Sequence, residues 1–147
     1  WMLAQQLKPD VIYIDGGYLL SHPNPRIGRY EKVAENCEGM KKGLAGGLGI
    51  PVAASWQFSR EASKKKTKNA EEKPGLEDIG YSDAIGQISS VVLGLMEADN
   101  VETMQRRLVS LMKGRGGEIG EFHINWDFQY MDFSQWNEQA VGDLQFM

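Results

Sequence analysis

The sequence predicts an α/β fold: parallel strands followed by a C-terminal antiparallel hairpin. Two patterns carry the prediction. Between residues 11 and 56 a strand, an amphipathic helix and a second strand follow one another, and between 107 and 126 two strand-like runs flank a glycine-rich turn. A length of 147 residues suits one ordinary domain, and 41% hydrophobic with 24% charged residues is a globular composition.

Val11-Ile12-Tyr13-Ile14-Asp15 is an apolar, β-branched and aromatic run that stops at a carboxylate and breaks into Gly16-Gly17. Such a run reads as a strand buried on both faces of a parallel sheet. After it, Ser21-His22-Pro23-Asn24-Pro25-Arg26 is a polar loop in which proline discourages a helix start. From about Tyr30 the apolar residues Val33, Cys37, Met40, Leu44 and Leu48 recur at helical spacing, weakened by Gly39, Gly43, Gly46 and Gly47. Gly49-Ile50-Pro51 ends that helix, and Val52-Ala53-Ala54-Ser55-Trp56 reads as the second strand. Strand, helix and strand in that order imply a right-handed parallel βαβ crossover.

Residues 59 to 80 form a long loop carrying Lys64-Lys65-Lys66-Thr67-Lys68, then Glu71-Glu72-Lys73-Pro74-Gly75. A short helix is expected over Asp83–Gln87 and a strand over Ser90–Met96. Lys113-Gly114-Arg115-Gly116-Gly117-Glu118 joins the last two strands, because glycine tolerates the positive φ of tight turns. In the second of these strands Phe122, Ile124 and Trp126 alternate with Glu121, His123 and Asn125, which predicts one inward and one watered face. The stretch 134–147 shows no period and reads as a tail.

A net charge of −4 gives no overall basic footprint, so a nucleic-acid contact has to come from a local patch. The single Cys37 excludes an internal disulfide and suits a reducing compartment, with cytoplasm the expected location. No apolar run approaches the ~18 residues of a membrane span, so no membrane partner is expected. The sequence opens on Trp1 rather than Met, consistent with a piece of a longer protein.

Four groups of residues bear on chemistry. An acid leaving the carboxyl end of a buried strand sits where open α/β sheets bind ligands, which makes Asp15 a candidate magnesium ligand of Walker B type. An aspartate that merely opens a turn fits the same segment. Gln57, leaving the second strand at the same edge, can bind a γ-phosphate or an attacking water through its amide; a solvated loop amide is the plainer alternative. Lys113 and Arg115 project from the hairpin tip, as an arginine finger does, although exposed tips are often charged for solubility alone. The lysine run would make a salt-sensitive contact with a nucleic-acid backbone, or be a solvated loop. The phosphate-binding signature Gly-x-x-x-x-Gly-Lys-Ser/Thr does not occur. His22 and His123 lack metal-ligand spacing, and Cys37 lies on the apolar helix face.

Taken in order, these pieces resemble the C-terminal ATPase domain of DnaB-family replicative helicases, particularly phage-type members, from about Pro9 to Phe133. Val11–Asp15 is similar to the family's Walker B strand. Ile50-Pro51-Val52 through Trp56-Gln57-Phe58-Ser59-Arg60 resembles its next strand, which usually ends in Ser-Gln-Leu-Asn-Arg. Asp78-Ile79-Gly80-Tyr81-Ser82-Asp83-Ala84-Ile85-Gly86-Gln87 resembles its Asp-Leu-Arg-Glu-Ser-Gly-Ala-Ile-Glu-Gln segment. Lys113-Gly114-Arg115-Gly116-Gly117 resembles its Lys-Asn-Arg-Asn-Gly hairpin.

The resemblance implies a partial RecA-like P-loop NTPase core lacking the P-loop strand, with residues 1–133 as the C-terminal part of the domain. It implies ATP and Mg²⁺ in the complete protein, a hexameric ring as homo-oligomer, single-stranded DNA in its channel, and a bacterial or phage-infected cell. Asp15 would hold Mg²⁺; Gln57 would act at the γ-phosphate; Lys113 and Arg115 would reach ATP on the neighbour; Arg60, Lys64, Lys65, Lys66 and Lys68 would face DNA. Gly80 stands where the family usually has an arginine, and Ser90 replaces an acid. Because the family's P-loop and catalytic glutamate lie upstream of the matched segment, the chain by itself is expected to bind no cofactor tightly and to hydrolyse no ATP. A P-loop strand lying between the Walker B strand and the next one is expected to leave unpaired backbone there when absent, so that the sheet rearranges, swaps strands or self-associates. Two other classes fit the residues: a non-enzymatic DNA- or protein-binding module, and a filament-forming recombinase-like ATPase.

Overall fold

The computed structural model describes residues 2–59, 62, 73–80, 83–97 and 105–136. The chain forms two compact units, residues 1–89 and 90–147.

The first unit opens with helix α1 (Met2–Leu7) and strand β1 (Ile12–Ile14). Gly16 follows in the left-handed conformation at φ 78°, and a 3₁₀ turn over Gly17–Leu19 leads into the loop. In that loop the Asn24 amide donates to His22 Nδ1 at 3.1 Å, and His22 Nε2 lies 2.9 Å from Glu35 of the next helix. Helix α2 (Arg29–Glu38) carries the predicted stripe, with Val33 and Cys37 buried. It continues into a π-helix over Gly39–Gly47, the segment that holds the four glycines. The i→i+5 bonding of a π-helix turns each residue through a smaller angle than an α-helix does, so the apolar stripe drifts. Met40, Leu44 and Leu48 accordingly end half-buried, unlike Val33 and Cys37.

Strand β2 (Val52–Ala54) pairs parallel with β1 in the register Ile12↔Val52, Tyr13↔Ala53, Ile14↔Ala54. The unpaired backbone expected between these strands does not exist. The Ile12 amide donates to the Pro51 carbonyl and the Ser55 amide to the Ile14 carbonyl, both at 2.9 Å, so the ladder is continuous. The reason is local: one βαβ crossover tends to lay sequential strands side by side. Burial on both faces is also corrected, since Tyr13 is 78% exposed and its partner Ala53 is exposed as well. Ile12, Val52, Ile14 and Ala54 alternate with them and are half-buried. A 3₁₀ turn over Leu76–Asp78 and helix α3 (Ala84–Ile88) complete the unit, the latter within a residue of its predicted span. Helix α2 packs on α3, and Val33, Cys37, Ile79 and Ile85 are the buried apolar residues around them.

The second unit is an antiparallel sheet in the order β3-β4-β5, with β3 over Val92–Glu97, β4 over Arg106–Lys113 and β5 over Gly120–Asn125. The predicted hairpin is β4–β5, paired from Arg106↔Asn125 to Leu111↔Gly120. The predicted strand at 90–96 joins this hairpin on its other side, from Val92↔Lys113 to Glu97↔Arg107. The inward face expected for β5 is corrected: Phe122 is 42% exposed, because its sheet face, which also holds Leu93 and Leu95, is open in this chain. Beyond β5, the chain returns antiparallel: the Asn125 amide donates to the Ser134 carbonyl at 2.9 Å and the Trp136 amide to the His123 carbonyl at 2.8 Å. Trp126, Phe128 and Phe133 meet edge-on with centroids 5.1–5.4 Å apart, and the Arg106 guanidinium lies 3.6 Å over the Trp136 ring. That cluster anchors the return strand.

Candidate nucleotide-edge site

In a parallel pair, residues in register emerge at the same edge. The offset of 40 residues that aligns Ile14 with Ala54 also sets Asp15 beside Ser55, and Ser55 Oγ donates to Asp15 Oδ1 at 2.7 Å. The Gly16 amide donates to the same Ser55 oxygen at 2.7 Å, and the Gly17 amide to the Ser55 carbonyl at 3.0 Å. Two residues on, Gln57 leaves β2 at this edge, and its Nε2 donates to the Tyr18 hydroxyl at 3.0 Å. The two strand ends are thus cross-tied: β2 holds the acid that follows β1, and the turn after β1 holds the glutamine that follows β2. Asp15, Ser55 and Gln57 are exposed.

A close glycine contact sets how near these ends approach. Gly17 is buried beneath the Trp56 indole, where a Cβ would come within 2.5 Å of Trp56 Cζ2. The loop that follows Gln57 is tied back on its return leg. Phe58 and Ile79 form an antiparallel bridge, the Ser59 amide donates to the Asp78 carbonyl at 2.7 Å, and the Gly80 amide donates to the Gln57 carbonyl at 2.8 Å. A Cβ on Gly80 would sit 2.9 Å from the Gln57 carbonyl oxygen, so this buried glycine stacks directly on the glutamine's own backbone. Asp78 is buried, and its carboxylate accepts from the Gly75 amide at 2.9 Å.

Asp15 has no ion pair among the described residues, and its Oδ2 has no partner among them. No group of three His, Cys, Asp or Glu side chains able to enclose a metal exists among the described residues. One free carboxylate oxygen does not make a calcium cage or a zinc site. It does fit Mg²⁺, which keeps several waters and binds through one or two carboxylates plus phosphate oxygens.

Of the remaining predicted site residues, Lys113 is the last residue of β4, and Arg115 is exposed in the turn beyond it. Arg115 has no partner among the described residues. Glu118, the acid nearest to it in the turn, is engaged otherwise: its own amide and that of Gly116, 2.9 Å from Oε2, hold its carboxyl below the usual carboxylate range. Gly117, at φ 85°, supplies the left-handed residue of the turn. Arg60, Lys64, Lys65, Lys66 and Lys68 lie outside the described residues. Burial pushes the Cys37 thiol up to about 11, which disfavours the thiolate and suits a core residue. Sequence reading missed Ser55 and Tyr18. Ser55 was findable in principle, as the residue two before Gln57 on the same side of a strand, but only the register identifies its partner.

A parallel pair with an acid and a glutamine at its carboxyl edge, followed by an antiparallel sheet ending in a cationic hairpin, fits part of a RecA-like α/β fold. Solved structures that share the fold include the following two. One is titled as a DnaB-like replicative helicase and its interactions with primase, at TM-score 0.81 and 22% identity over 93% of this chain. The other is titled as an ATPase domain, at TM-score 0.80 and 22% identity, again over 93% of this chain. The chain spans 35% and 50% of those two chains. The family model for the DnaB-like helicase C terminal domain matches residues 2–135, and the chain belongs to that family. No curated protein matches the sequence. No helix among the described residues is long and apolar enough to cross a membrane.

Proposed function

We propose that this chain is the C-terminal part of the motor domain of an ATP-dependent replicative DNA helicase, in which ATP hydrolysis drives translocation on single-stranded DNA. The observation that carries the reading is the in-register pairing that brings Asp15 and Gln57 to one sheet edge, each tied to the opposite strand. When bound with nucleotide, Mg²⁺ neutralises charge developing on the phosphates. Asp15 would hold that ion. Gln57, its amide nitrogen already anchored on Tyr18, presents its carbonyl oxygen to an attacking water or a phosphate-bound one.

The backbone bonds between 57–59 and 78–80 support a link from this edge to the segment 60–82. A lysine-rich segment suits single-stranded DNA. Displacement of Gln57 on γ-phosphate loss then pulls on the loop's return leg. Lys113 and Arg115 act on ATP held by the neighbouring protomer, which requires a head-to-tail oligomer; the helicase reading takes that oligomer as a ring. An arginine with no partner among the described residues is available for that role, whereas one paired with Glu118 would not be. A complete motor also needs a phosphate-binding loop, which this sequence does not contain.

The decisive experiment places Arg115→Ala in a protein that joins this chain to a Walker A half-domain. DNA-stimulated ATP turnover falls about 10³-fold or more while nucleotide binding to single protomers persists. Unchanged turnover would remove the finger assignment.

A further inference from the structure

Asp15 is an exposed carboxylate, and a free aspartate at a turn samples several rotamers. Here it does not have that freedom. Ser55 Oγ accepts the Gly16 amide at 2.7 Å, which fills an acceptor position on the hydroxyl, and its own hydrogen is directed to Asp15 Oδ1 at 2.7 Å. The serine is itself fixed at both backbone groups, its amide on the Ile14 carbonyl and its carbonyl on the Gly17 amide. The carboxylate is therefore held from one side by a donor that is rigid in both strands. One oxygen is satisfied and the other faces outward.

We propose that Ser55 is a positioning residue for divalent-cation binding: its hydroxyl orients the Asp15 carboxylate and leaves Oδ2 as the carboxylate oxygen offered to a hydrated cation. This inference rests on the reading of Asp15 as the cation-holding residue. A partner that orients a metal-binding carboxylate contributes to affinity without touching the ion, because the carboxylate no longer gives up rotamer freedom when the ion arrives. Monodentate binding also suits an ion that retains most of its water and takes its other ligands from phosphate. Alanine at 55 would free Asp15 and leave the Gly16 amide without its acceptor. Threonine would keep the hydroxyl in a strand-compatible residue.

The test uses Mn²⁺ alone as the probe and the 147-residue chain as the sample. Paramagnetic broadening of the Gly16 and Gly17 amide signals is followed in ¹H–¹⁵N spectra as Mn²⁺ is added. Selective broadening is expected in the wild type, retained in Ser55→Thr, lost in Asp15→Asn, and shifted to about tenfold higher Mn²⁺ in Ser55→Ala. If the wild type shows no selective broadening at Gly16 and Gly17, the reading of Asp15 fails and takes this inference with it. If the wild type broadens and Ser55→Ala broadens at the same Mn²⁺ concentration, Asp15 keeps its role and Ser55 loses this one. A Ser55→Thr variant behaving like Ser55→Ala, with the remaining spectrum intact, overturns it equally.

Discussion

Replacing Gly17 by alanine tests how tightly the site edge is built. The backbone at Gly17 is not in the left-handed region, so alanine adds no conformational strain of its own. What it adds is a methyl carbon 2.5, 2.8 and 2.9 Å from Cζ2, Cη2 and Cε2 of Trp56, all closer than carbon atoms approach at rest. The indole therefore shifts by roughly 1 Å to reach a ~3.5 Å contact. Overpacking of this kind costs about 1–3 kcal/mol. Because Gly17 and Ser55 share a backbone hydrogen bond, a displaced Trp56 also pulls on the residue that orients Asp15. Urea unfolding followed by circular dichroism measures the loss, and a double-mutant cycle with Trp56→Leu isolates its cause. The smaller side chain relieves the clash, so the coupling between the two substitutions is expected to be about 1 kcal/mol or more. A Gly17→Ala protein as stable as wild type, or two substitutions that simply add, would refute the steric reasoning.

Cys37 has its thiol pushed up to about 11 by burial, so the folded state holds its proton more tightly than the unfolded chain; the stabilisation is complete below about 9 and is lost as pH rises towards about 11. Alkylation at pH 8 is expected to be slow in the native protein and complete in denaturant, and fast native labelling would contradict the burial. Replacing Lys64, Lys65, Lys66 and Lys68 by alanine is expected to weaken binding of single-stranded DNA and flatten its salt dependence, read by fluorescence anisotropy across a salt series; an unchanged slope would make the run a solvated loop. Gly80→Ala, with its Cβ 2.9 Å from the Gln57 carbonyl oxygen, is expected to lower the melting temperature by a few degrees in thermal unfolding, and an unaltered melt would show that the return leg yields freely.

Periodicity alone located most elements. The strands near residues 12 and 52, helix α2 through Cys37, the short helix after Asp83 and the hairpin around Gly114–Gly117 all lie where their apolar spacing and turn residues put them. Among the departures, those in the first long helix and in β5 show what periodicity misses. Glycine-rich sequence at 39–47 allowed a π-helix, which an α-helical period does not anticipate, and Met40, Leu44 and Leu48 lost their place in the buried stripe. Alternation in β5 identified which residues share a face but not whether anything covers that face, which is a property of other parts of a fold.

Asp15 and Gln57 stood out as candidates because an acid and an amide at the ends of buried-looking strands are distinctive by type and position. Their partners were not. Whether Asp15 faces Ser55 or another residue depends on a register of 40 residues across a helix, and sequence spacing cannot count the turns of a helix that changes from α to π on the way. The sequence by itself determined the class of fold, the sheet edge that holds Asp15 and Gln57 and the absence of a phosphate-binding signature, because these follow from local periodicity and residue type. Tertiary structure alone decided that β1 and β2 are neighbours, that Ser55 and Tyr18 hold the two site residues, and that Gly80 packs on Gln57, because each is a contact between residues far apart in the chain.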